Sequence, residues 1–173
     1  MPGDFKKGKK YFSLSNTGAQ CVAFAQQWLK DCIATKKPCT EIGNLADSAL
    51  MAQMQKDAAA TSVESLKQNG LKQQGQEIVL NDVNWADAFQ MILKLGSDAK
   101  LYVSIKYIAS NGALAKHVFA CLVKKGLLVY HLEPEIGLFM IAVKDYLETT
   151  GEWYTGHSGN SVCKEFKIYL LQG

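Results

Sequence analysis

Lys116-His-Val-Phe-Ala-Cys-Leu-Val123, Lys124-Lys-Gly126 and Leu127-Leu-Val-Tyr-His-Leu132 form the stretch on which the fold reading turns. Two apolar runs flank a short basic loop that ends in glycine, which predicts a β-hairpin. With residues 124–126 as a three-residue loop, Val123 faces Leu127, and the same register carried outward sets His117 opposite Glu133. Directly opposed side chains share one face of a sheet, about 5 Å apart at Cβ. A carboxylate beside an imidazole fixes its tautomer and stabilises the imidazolium. His131, in this register, faces Phe119 and has no carboxylate opposite. A slip of one residue would break the pairing.

Outward from the hairpin, strand patterns fill the second half of the chain. Leu101-Tyr-Val-Ser-Ile-Lys-Tyr-Ile108, residues 137–143 and residues 163–171 read as strands, with Ser110-Asn-Gly112 as a turn. Residues 144–154 read as a short helix and residues 156–161 as a loop carrying His157. The first half reads as helices. One starts near Thr17, where Thr17-Gly-Ala-Gln20 has capping-box spacing, and sets Cys21, Ala25, Trp28, Leu29 and Cys32 on one face before Pro38. A second runs through Ile42, Leu45, Ala46, Ala49, Leu50 and Met54, with a polar continuation towards Lys67. After a short strand at residues 77–80, a third is capped by Asn81 or Asp82 and buries Trp85, Ala88, Phe89 and Ile92. Helices first and strands after predict an α+β domain: an N-terminal helical layer on a C-terminal antiparallel sheet of four to five strands.

The 173 residues suit one domain, read as a basic, disordered tip at residues 1–10 and a single folded unit over residues 11–173. No run approaches the ~20 apolar residues needed to cross a bilayer, so no transmembrane segment is expected. Tyr11-Phe-Ser-Leu14 is too short for the core of a signal peptide. The net charge is +3, and all 19 basic residues are lysines. Arginine is the usual reader of guanine edges and the usual bidentate phosphate clamp, so its absence argues against sequence-specific nucleic-acid binding.

Five cysteines stand at 21, 32, 39, 121 and 163. The odd number leaves at least one thiol free, and neither a C-x-x-C pair nor zinc-ligand spacing is present, so no metal is expected. Cys21 falls in the first turn of a helix, where unpaired N–H groups and the positive end of the macrodipole favour a thiolate. The competing reading is a small residue on the buried face. Cys32 lies far down the same helix and Cys121 lies mid-strand; both read as core. A thiol nucleophile needs an imidazole to hold its proton, and of His117, His131 and His157 only His117 has a carboxylate opposite.

These residues resemble the YopT-type cysteine proteases, papain-like effectors that bacteria inject into host cells. That family has G-x-C followed by a helix with a Trp about two turns on; here Gly18-Ala-Gln-Cys21 leads to Trp28, with one extra residue. It then has a His on a strand and, after an apolar strand, Asp-Pro-Asn-x-Gly. Here His117-Val-Phe-Ala leads, sixteen residues on, to Glu133-Pro-Glu-Ile-Gly137. Glu133 stands for the family's Asp and Glu135 for its Asn. The resemblance covers residues 16–30 and 115–142.

It implies a papain-like catalytic domain with Cys21 as nucleophile, His117 as base and Glu133 as the group that orients the base. Asn16 and the backbone N–H of Cys21 are the implied oxyanion donors, with Gln20 left to cap the helix. Trp153 and Tyr154 are expected to wall the substrate cleft, and His157 to lie on a surface loop. The implied activity is proteolysis through an acyl-enzyme, without metal or cofactor. The implied partner is a protein of a target cell, reached through a dedicated bacterial secretion system and met in the target-cell cytoplasm. A chaperone or immunity protein is a candidate further partner. The same triad also serves effector glutamine deamidases and NlpC-like peptidoglycan amidases, and a non-enzymatic interaction module remains the fourth alternative.

Overall fold

The computed structural model describes residues 3–15, 19–59, 64–124 and 127–173. In chain order the elements are β1 (Lys9–Ser13), α1 (Cys21–Thr35), a 3-10 turn (Gly43–Ala46), α2 (Ser48–Ala59), α3 (Glu64–Gln68), β2 (Ile78–Asn84) and α4 (Trp85–Lys94). They continue with β3 (Ala99–Ile108), β4 (Leu114–Lys124), β5 (Leu128–Glu133), β6 (Gly137–Ala142), α5 (Val143–Ser158) and β7 (Val162–Leu171). Among the described residues the seven strands form one antiparallel sheet, ordered β1-β6-β5-β4-β3-β7-β2. The α+β architecture, with a helical layer that begins at Cys21 packed on an antiparallel sheet, is the expected one.

The sheet is larger than expected and covered on both sides. Strand residues alternate between two cores. Phe119, Cys121 and Val123 of β4 face α4 and α5, packing with Trp85, Phe89 and Tyr146. Val118, Ala120 and Leu122 face α1 and α2, packing with Phe24, Trp28 and Met51. Every residue from Val118 to Val123 is therefore buried, which is why β4 reads as an unbroken apolar run rather than an alternating one.

Two local expectations change. Asn84, not Asn81 or Asp82, caps α4, its Oδ1 accepting the Asp87 N–H at 2.8 Å, because β2 stays paired with β7 as far as Asn84. Where described, the basic tip packs on the body of the fold. Phe5 is 5% exposed and packs edge-on against His131 and Phe139, the Trp153 Nε1–H donates to Gly3 O at 2.7 Å, and β1 pairs with β6. The hairpin register is two residues off the expected one: Lys124 faces Leu128 and Val123 faces Val129. A shift of two preserves which face each side chain occupies, so the consequence for His117 and Glu133 is small. No helix among the described residues is long and apolar enough to cross a membrane.

Candidate active site

The turn after β5 builds the acidic corner of the site. The Ile136 N–H donates to Glu133 O at 3.0 Å, closing a four-residue turn with Pro134 at its second position, where a fixed φ is favoured. Within that turn the Glu135 N–H donates to Glu133 Oε2 at 2.8 Å. Gly137 follows with φ +132°, and a Cβ there would overlap the Phe12 carbonyl oxygen of β1. The Glu-Pro-x-x-Gly spacing is thus explained by one turn and one close approach of two backbones.

β4 extends beyond its pairing with β5, which ends at Ala120 and Leu132, and His117 sits in the extension. His117 Nε2 lies 2.8 Å from each oxygen of Glu133. A carboxylate only accepts, so Nε2 carries the proton and Nδ1 is left for another partner. Cys21 lines the same cavity as His117, and its side chain acts on the ring electrostatically. Burial opposes a charge on His117, yet the Glu133 carboxylate and the Cys21 sulfur outweigh it and hold the imidazole well above its ordinary range. Burial likewise opposes ionisation of Glu133, which is 0% exposed. His117, the Glu135 N–H and the Tyr154 hydroxyl together hold its carboxyl below the usual range.

Cys21 is the first residue of α1, so its N–H is one of the groups at a helix start that have no carbonyl one turn back. Gln20 precedes the helix and makes no side-chain cap hydrogen bond to it, and Thr17, the other member of the expected capping box, lies outside the described residues. The cap comes instead from α2: Gln55 Oε1 accepts the Ala23 N–H at 3.1 Å. Ala19, two residues before the thiol, has φ +53°, a left-handed conformation that turns the chain into the helix. Asn16, the expected oxyanion donor, and Thr17 lie outside the described residues.

Cys21 and His117 share a cavity of about 390 Å³ with Gln55, Tyr102, Ser104, Lys116 and Tyr169. Trp153 and Tyr154 do not line it, which corrects the expected aromatic wall. Both belong to α5, and their buried face turns them inward: Tyr154 is 1% exposed and its hydroxyl donates to Glu133 Oε1 at 2.7 Å. His157 lies in the last turn of α5 rather than in a loop, stacked on Trp153 at 4.8 Å and 6.1 Å from the His117 ring. Sequence reasoning missed Tyr154 and Gln55 as supports of the site. The signal for Tyr154 was present in the recurrence of Tyr146, Thr150 and Tyr154 on one helical face. Gln55, which acts from a separate helix, left no such signal.

A thiol–imidazole contact lies in the interior. Cys121 Sγ lies 3.4 Å from His131 Nδ1. Both residues are 0% exposed. Burial pushes the Cys121 thiol up to about 12 and the His131 imidazole down to about 3, so both stay neutral in the interior. A substrate has no path to this sulfur as placed. Among the described residues, no group of three or more His, Cys, Asp or Glu could hold a metal ion.

No family profile matches the chain, and no curated protein matches it. Among solved structures, the crystal structure of the Pseudomonas avirulence protein AvrPphB matches with a TM-score of 0.65 at 13% identity, over 98% of this chain and 98% of that one. At that identity the likeness is one of fold, and it extends over almost the whole of both chains.

Proposed function

We propose that this protein is a cysteine protease of papain-like type, a bacterial effector that hydrolyses an amide bond in a target-cell protein. The observation that carries the reading is the buried His117–Glu133 pair, with Cys21 lining the same cavity as His117. His117 Nδ1 takes the Cys21 proton, and the sulfur attacks the carbonyl carbon. The oxyanion is met by the Cys21 N–H at the start of α1. The C–N bond breaks as His117 returns the proton to the leaving amine, and water then releases the acid from the thioester. Glu133 holds the imidazole and does not make or break a bond.

Two further observations support the effector half of the reading: the YopT-type resemblance of residues 16–30 and 115–142, and the shared fold with a Pseudomonas avirulence protein. The buried Cys121–His131 pair supports no competing mechanism, being neutral and enclosed.

The test is incubation with target-cell lysate. Proteolysis yields new peptide termini that Cys21→Ala and His117→Ala proteins do not make, and the double variant is no worse than either single one, as members of one catalytic unit behave. Glutamine deamidation would instead raise one substrate's mass by roughly 1 Da with chain lengths intact. A peptidoglycan amidase would release fragments from isolated sacculi. New termini that persist in Cys21→Ala would sink the assignment of the nucleophile.

A further inference from the structure

Behind Glu133 the interior holds polar groups that the acyl-transfer steps do not touch. The Tyr154 hydroxyl, which donates to Glu133 Oε1 at 2.7 Å, also lies 2.9 Å from His131 Nε2. On the far side of that ring, His131 Nδ1 lies 2.8 Å from the Tyr146 hydroxyl. His131, Glu133 and Tyr146 are 0% exposed, so bulk solvent does not reach them.

Buried polar groups in contact need one proton per contact, and here the shortest contacts set the directions, the longer Cys121 Sγ–Tyr146 contact of 3.5 Å being left to the thiol proton. A tyrosine hydroxyl carries a single proton. Tyr154 directs it to Glu133, because a carboxylate only accepts and two oxygens without a proton between them repel. Tyr154 is then the acceptor towards His131, so His131 Nε2 carries the ring proton. Nδ1 accepts, and the Tyr146 hydroxyl donates to it. We infer that Tyr146, His131 and Tyr154 form a one-way hydrogen-bond relay that positions Glu133, with His131 held as the neutral Nε2–H tautomer. This rests on the proposed role of Glu133 in orienting His117.

Each donor in such a row polarises the next. Tyr154 thereby completes a set of three donors on Glu133, with His117 and the Glu135 N–H. The titratable groups around His131 are Cys121 and His117 of β4, Glu133 of β5, and Tyr146 and Tyr154 of α5. The N-terminal segment and α4 present only the rings of Phe5 and Phe89 to it. A second proton on His131 would remove the acceptor that Tyr146 uses, and burial opposes that proton.

Long-range proton–nitrogen NMR correlation on the full chain with isotope-labelled histidine reads the tautomer directly. The expected pattern for His131 is a neutral ring protonated at Nε2, unchanged from about pH 5 to 8. An Nδ1–H pattern, or titration inside that window, overturns the relay. The positioning role is read separately from the pH profile of Cys21 alkylation by iodoacetamide. Tyr154→Phe keeps the ring and removes one donor from Glu133, so the acid limb of that profile moves up by about one pH unit. His131→Gln, which keeps an N–H, recovers most of the wild-type limb, whereas His131→Leu behaves like Tyr154→Phe. An unshifted limb in folded Tyr154→Phe protein overturns the positioning role. If that variant does not fold, the wild-type tautomer alone decides. Absence of fast Cys21 alkylation in the wild type counts against the triad and leaves the tautomer measurement standing.

Discussion

Replacing Glu133 with glutamine keeps the volume and removes the charge at the centre of the site. The carboxylate receives His117 Nε2–H at 2.8 Å, Tyr154 Oη–H at 2.7 Å and the Glu135 N–H at 2.8 Å. An amide has one oxygen, so its NH₂ must face at least one of these buried donors, which costs about 1–3 kcal/mol. The loss of one partner of a buried ion pair brings the total to about 3–5 kcal/mol. Against a domain stability of about 5–15 kcal/mol, Glu133→Gln still folds. With a urea dependence of about 2 kcal/mol per molar, its urea midpoint drops by about 2 M.

The pH dependence makes the test sharper. The Glu133 carboxyl is held below its usual range, so its contribution is present above about pH 4.3 and fades as pH falls through the lower folded value. His117 is held above its usual range, so its contribution is full below about pH 6.5 and fades as pH rises through the higher folded value. The gap between wild type and variant is therefore widest between these limits and narrows on both sides. Urea titrations across that range measure it. A gap below about 1 kcal/mol that does not change with pH refutes an ionised, buried pair.

Gln55→Ala removes the cap on the Ala23 N–H and costs about 1 kcal/mol in urea unfolding, with slower alkylation of Cys21 as the first turn of α1 frays. Gly137→Ala drives a Cβ into the Phe12 carbonyl and should separate β1 from β6, seen as faster amide exchange at Lys10 and Phe12. Phe5→Ala empties a site between His131, Phe139 and Trp153 and lowers stability by about 3 kcal/mol, where a disordered tip would give no change.

The sequence made parity legible and left register out of reach. The hairpin pairing expected from the loop was two residues wrong, yet His117 and Glu133 were set on one face because the side-chain period of a strand is two. The end of the loop that would have fixed the register lies partly outside the described residues. The helical stripe of Trp85, Ala88, Phe89 and Ile92 was legible because one face of α4 is buried and the other is not. The second helical layer was not seen. Its trace was the unbroken apolar run of β4, and a run buried on both faces looks the same as one that is merely apolar. Trp153 and Tyr154 were placed beside a cleft because they adjoin His157 in the sequence. In the fold the helix turns them inward, and contacts made by burial leave no spacing rule to read.

The pairing of β1 with β6, at Lys9 and Met140, fixes how this protein comes into being. Partners so distant along the chain must meet before the contact contributes anything, and the loop entropy of that meeting makes sheets of this kind slow to form. Cys21 rides on the helix that follows β1, whereas His117 and Glu133 ride on β4 and β5, so no local fragment holds both the thiol and the imidazole. Until the sheet and its helical layer come together, the thiol and the imidazole stand on separate parts of an unfinished chain. On the proposed function, the chemistry waits for the slowest contacts of the sheet to form.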